Sequence, residues 1–179
     1  MLYAFGFQRF GVVLSDLYFI DPDPAEGQEG AERGVRLELR MLERGELRGS
    51  IYSAQPITVG EPVWRADLLE AVDGPPGSFD RTHHHPAFRD WEPSSRVFVS
   101  ELSARPLEWL RARLSDLNGL LDEAGVARDE VTAADAASLR ACVPEIVAAT
   151  SRLLDRVRAG ELATPPSAEP IRGARVGWL

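Results

Sequence analysis

The chain has 179 residues, 44% of them hydrophobic and 8% aromatic, with a net charge of −8; this suits one hydrophobic core and excludes a chain disordered throughout. The first 104 residues carry 10 Arg against 17 acidic residues and the rest 10 against 11, so neither part has the basic excess that holds a long nucleic-acid backbone by charge, although a local Arg-lined pocket is compatible with it. Every basic residue is Arg and the single cysteine is Cys142, which excludes Lys Schiff-base chemistry, an internal disulfide and a multi-thiolate metal site.

Residues 2–7 and 11–20 are rich in aromatic and β-branched residues and predict a hairpin closed near Arg9. Residues 21–34 read DPDPAEGQEGAERG, an exposed loop with little to bury. From Val35 the alternation of Val35, Leu37, Leu39 and Met41 with Arg36, Glu38 and Arg40 predicts a half-buried strand. A turn at residues 44–46 should return the chain into strands over 47–57 and 63–72, where Arg65 and Asp67 share one side. The run DGPPGS is a loop, and strands over 79–85 and 96–102 complete a meander of about six.

The remainder reads as helix. Ser103 is the expected cap of a helix carrying Leu107, Leu110, Leu114, Leu117 and Leu121 at alternating intervals of three and four, ending at Gly125. Thr132, with Asp135 three residues on, predicts a capping box for a second helix to Gly160, kinked at Pro144. The expected class is therefore α+β: a single domain with a curved antiparallel sheet over 1–102, an αα-hairpin over 103–160 and a tail over 161–179 whose Trp178 docks the end. The helical pair is expected to cover the protein's own sheet, or else to build a homodimer through its leucine seam. No stretch approaches the roughly 20 apolar residues of a membrane span, and the first residues lack the features of a signal peptide, so the expected location is the cytoplasm.

All three histidines are consecutive, His83, His84 and His85. On a strand His83 and His85 face one way, so two imidazoles can act on a common ligand. One chemistry for them is a zinc-like divalent metal site, with His83 and His85 as nitrogen ligands, a third ligand from Asp67, Asp80, Asp90 or Glu92, and an open position for water or substrate. The spacing Gly77, five residues, His83, one residue, His85, four residues, Asp90 resembles the first half of the cupin metal motif, with Asp in place of Glu; this resemblance implies His83, His85 and Asp90 as ligands. The second half of that motif needs a further histidine, which the chain lacks.

The other chemistry needs no metal. His83 and His85 would move protons while Arg65 and Arg81 stabilise charge on a phosphoryl oxygen and Asp67 orients an imidazole, the parts required to cleave RNA through its own 2′-hydroxyl. The order Arg65, Asp67, Phe79, His83, His85 resembles TumE-type toxins of bacterial toxin–antitoxin pairs. The resemblance covers residues 47–90 and implies a growth-inhibiting activity and a neutralising antitoxin partner; Leu68, Leu69 and Glu70 depart from the family's pattern. A third reading, a partner-binding module, takes Trp64, Trp91, Trp109 and Trp178 as interface anchors.

Overall fold

The computed structural model describes residues 1–50, 52 and 54–166. Strands β1 (Leu2–Gly6), β2 (Phe10–Ile20), β3 (Ala31–Arg44), β4 (Ile57–Ala71) and β5 (His83–His85) form one antiparallel sheet in the order β1-β2-β3-β4-β5, and β6 (Phe88–Arg89) pairs with β7 (Glu92–Pro93) in a separate small hairpin. Helices α1 (Ser100–Ala104), α2 (Pro106–Ser115), α3 (Leu117–Ala124) and α4 (Ala133–Arg158) follow. The α+β class and the meander preceding the helices are as the sequence predicts. No helix among the described residues is long and apolar enough to cross a membrane.

Period-two alternation gives the sheet two unlike faces. Phe10, Val12 and Leu14 of β2, Val35, Leu37 and Leu39 of β3, and Trp64, Ala66 and Leu68 of β4 are fully buried on one of them. Register stacks these residues across strands, with Val12 opposite Leu39 and Leu39 opposite Trp64. The helices close this face: Leu110, Leu114, Leu117, Leu121, Leu139, Ile146 and Leu153 join the same core. The leucine seam is thus spent on the chain's own sheet.

Several boundaries differ from the sequence reading, each for a local reason. Residues 31–34 belong to β3 because β2 is long enough to pair with them, Leu17 standing opposite Gly34 and Ile20 opposite Ala31. The described residues between 47 and 56 lie outside the strands; Leu47 and Tyr52 are exposed, and the stretch is tied back near its end, where the Gly45 N–H donates to the Pro56 carbonyl at 2.9 Å and the Gln55 side chain to the Gly45 carbonyl at 2.7 Å. Residues 79–82 are a turn, and the expected strand over 96–102 shrinks to one bridge between Val97 and His84, after which α1 begins. Ser103 lies inside α1, and the leucine helix is broken twice. Pro106 opens α2, and a residue before proline is driven from helical geometry; Asp116 then caps α3 by accepting the Gly119 N–H at 3.1 Å. The expected docking of the tail through Trp178 lies outside the described residues.

The capping box of α4 forms as expected and does more than cap. Oδ2 of Asp135 accepts from the Thr132 N–H at 3.0 Å and its hydroxyl at 2.8 Å. Oδ1 accepts the N–H groups of Gln8 at 2.9 Å and Arg9 at 3.3 Å, in the β1–β2 turn. One buried carboxylate thereby ties the first hairpin to the last helix. Burial opposes its charge, but the bonds from Thr132, Gln8 and Arg9 prevail and hold its pKa below the ordinary 3.8.

Two outcomes follow. Asp135→Ala should lower the free energy of unfolding by about 2 kcal/mol in urea titrations, through a lost cap and orphaned N–H groups. Because the folded pKa of Asp135 is depressed, its contribution is complete above the unfolded value of 3.8 and is lost as pH falls through the folded one, so the gap between wild type and variant should close in acid. Gly34→Ala should cost about 3 kcal/mol, since a Cβ there would overlap the Leu68 carbonyl of the neighbouring strand.

Candidate functional site

The second face of the sheet is polar where the first is apolar. Register sets Ser15, Arg36, Asp67 and His83 in one row across β2 to β5, and Val13, Glu38, Arg65 and His85 in the next. His83 therefore stands opposite Asp67, and His85 opposite Arg65. Strand β5 consists of the three histidines alone, and they are only 1%, 4% and 6% exposed. The chain after β5 provides the cover: the Phe98 ring lies 5.5 Å from His83 and the Phe88 ring 6.4 Å from His85. His84 turns to the helical face, between Trp64 at 6.2 Å and Trp109 at 5.2 Å, where burial pushes its pKa down to about 4.

Hydrogen bonding decides which nitrogens of the site are available. Nδ1 of His83 lies 2.7 Å from the Arg81 carbonyl oxygen and Nδ1 of His85 lies 2.6 Å from that of Ser94. A carbonyl oxygen only accepts, so each Nδ1 carries a hydrogen, and Nε2 is the nitrogen of each ring that faces the site. Both Nε2 atoms approach the same oxygen, Oδ2 of Asp67, at 3.6 Å for His83 and 3.7 Å for His85. Burial pushes the His83 pKa down to about 4 despite the attraction of Asp67, so the ring is neutral at pH 7.

Asp67 is itself 1% exposed. Arg36 grips it in a fork, Nε to Oδ1 at 2.8 Å and Nη2 to Oδ2 at 3.0 Å. Burial acts to raise the carboxyl pKa, but the His85 ring and the Arg36 guanidinium outweigh it and hold the group well below the usual carboxylate range. Among the described residues, Asp67, His83 and His85 are the group whose potential ligand atoms all lie within 4.8 Å of one another.

Of the residues singled out in the sequence, Asp67, His83 and His85 come together, with Arg65 beside them. Arg65 is held by Glu38, Nε to Oε1 at 2.8 Å, and lies over the Phe88 ring at 4.8 Å. Arg81 does not join the site. Its guanidinium donates to the carbonyls of Gly27 and Glu29 in the β2–β3 loop and pairs with Asp80 at 3.3 Å, because the turn before β5 faces that loop. Asp90 and Glu92 are exposed in the β6–β7 hairpin, away from the group of ligand atoms, and Asp80 accepts the Ala71 N–H instead. The hairpin turns the chain within a few residues of His85, so the sequence-adjacent Asp90 points elsewhere while Asp67 arrives by strand pairing.

Sequence reasoning missed the parts played by Arg36 and Glu38. Alternation along β3 places both off the core face, but only the register of β3 against β4 brings Arg36 to Asp67 and Glu38 to Arg65. Removing a partner from a buried ion pair leaves an uncompensated charge. Arg36→Met should therefore lower stability by about 3 kcal/mol in metal-free buffer, measured by chemical denaturation. No family model, curated protein or solved structure matches this chain.

Proposed function

We propose that the protein binds a divalent first-row transition metal, zinc by preference, through Asp67, His83 and His85, and that the centre serves hydrolysis of an ester. One observation carries the reading: Nε2 of His83 and Nε2 of His85 converge on one oxygen of Asp67, with all three potential ligand atoms within 4.8 Å of one another. A cation between them would be attracted by all three donor atoms at once. Zinc bonds of about 2.0–2.2 Å in tetrahedral geometry place neighbouring ligand atoms about 3.4 Å apart, within a few tenths of the 3.6 and 3.7 Å separations. The carbonyls that fix each Nδ1, and the Arg36 fork behind the carboxylate, are the outer partners that orient metal ligands.

Three protein ligands that leave a fourth position to water or substrate are the pattern of catalytic rather than structural zinc. Asp67, His83 and His85 would hold the ion, which would supply Lewis-acid chemistry, activating a water and polarising an ester's carbonyl or phosphoryl oxygen. Hydrolysis would add the water oxygen to the ester's central atom, break the bond to the leaving alcohol and pass that alcohol a proton. The donor set of two imidazoles and a carboxylate also suits iron, so elemental identity bears on the chemistry. Metal-free cleavage of RNA has less support, since Arg81 is bonded to the β2–β3 loop and His83 is packed against Phe98.

Elemental analysis of the purified full-length protein, after zinc reconstitution and desalting, should find about one zinc per chain. His85→Ala and Asp67→Asn, shown to be folded by circular dichroism, should each lose it. A protein that retains no first-row metal, or a His85→Ala variant that retains it fully, would overturn the assignment; iron acquired in preference to zinc would overturn the hydrolytic part.

A further inference from the structure

Beside the triad, on the same face of the sheet, a groove of about 440 Å³ extends over β1 to β4. Its lining is of two kinds. Arg36, Arg40 and Arg65 contribute guanidinium groups, while Leu2 and Val13 on β1 and β2, with Val59 on β4, contribute apolar surface. Leu2 is 64% and Val59 46% exposed, so the other described residues leave this surface uncovered.

From these features we infer that the groove binds an organic phosphate monoester, its phosphoryl group on the arginines and its apolar arm along Leu2 and Val13. As a statement about substrate, this rests on the hydrolytic reading of the triad. Charge is the first argument. Three guanidiniums line the groove against one lining carboxylate, Glu38, and with Asp67 behind Arg36 counted as well the group keeps one positive charge in excess, in a protein whose net charge is −8. Glu38 is shared between two of them, accepting from Arg40 Nε at 2.7 Å and Arg65 Nε at 2.8 Å, so one acidic group holds two arginines in place without cancelling both.

Donor geometry is the second argument. Arg36 uses Nε and Nη2 on Asp67, and Arg65 turns Nε and Nη2 to Glu38. Among the described residues, neither uses Nη1 in a hydrogen bond. Two anchored guanidiniums in adjacent rows of the sheet, each with donors to spare, suit the several oxygens of a phosphoryl group, which guanidinium forks recognise better than a point charge does. Location is the third. Arg36 lies between Ser15 and Asp67 in the cross-strand row that ends at His83, so an anion on its groove side sits next to the triad. Asp67 is already neutralised by Arg36, and a divalent ion there would add attraction for the anion rather than satisfy a local excess of acid.

The test is calorimetric titration of the full-length protein, both EDTA-treated and zinc-reconstituted, with inorganic phosphate, methyl phosphate and phenyl phosphate. Affinity should rise along that series, with phenyl phosphate about tenfold tighter than inorganic phosphate through burial of its ring. Arg65→Gln should weaken phenyl phosphate binding by about tenfold. Absence of saturable binding, equal affinity for all three probes, or binding indifferent to Arg65→Gln would each overturn the inference. Zinc retained without phenyl phosphate binding would sink the groove and spare the metal centre. Phenyl phosphate bound by a protein that retains no zinc would sink the metal centre while upholding the groove as a binding site.

Discussion

A carboxylate buried between one guanidinium and two imidazoles is the interaction around which the polar face is organised. Asp67 lies within the sheet at 1% exposure, where an unpaired charge would be strongly unfavourable. Arg36 compensates it through two charge-assisted bonds, and that compensation keeps Asp67 ionised and its second oxygen aimed at the histidines. The histidines are constrained in turn by backbone carbonyls. Each group in the cluster is therefore oriented by a partner that is not itself free to turn, which is the pre-organisation a ligand-binding site needs.

The two faces of one sheet differ in what they hold. On the apolar face, the stacked residues of β2, β3 and β4 meet the leucines of α2 and α3 and one side of α4, and burial there supplies the main stabilisation. On the polar face, the same strands hold rows of charged residues at fixed spacing. The histidine tract joins the two roles: His84 packs with Trp64 and Trp109 on the helical side, while His83 and His85 face the carboxylate. Docking of His84 among tryptophans thus helps to fix the orientation of its neighbours, because a strand that anchors one side chain in a core determines where the flanking pair points.

Cover over the site comes from the chain immediately after it. The β6–β7 hairpin and the bridge from Val97 to His84 bring Phe88 and Phe98 over the imidazoles. The arginine-lined groove begins on the other side of Arg36 and Arg65. An apolar roof over the triad lowers the local dielectric and strengthens the electrostatics beneath it, while the groove remains open toward the edge strand β1.

Patterns of short range were legible in the amino-acid sequence: the hairpin of β1 and β2, the alternation along β3, the capping box at Thr132 and Asp135, and the shared face of His83 and His85. These depend on residues a few positions apart, and a backbone of period 2 or 3.6 converts such spacing directly into geometry. Strands over 47–57 and 96–102 were expected from composition, yet a strand exists only where a partner offers its hydrogen bonds, and among the described residues of the two stretches Ile57 pairs within β4 and Val97 makes one bridge to His84. The third member of the triad belongs to the same class of question. Asp67, Asp80, Asp90 and Glu92 are equivalent as carboxylates in a list of residues, and Arg36 is one arginine among twenty basic residues. Strand register selected Asp67 and Arg36 from among them, because pairing of β3, β4 and β5 brings together side chains 31 and 16 positions apart, a long-range choice made by the packing of the whole sheet against its helices.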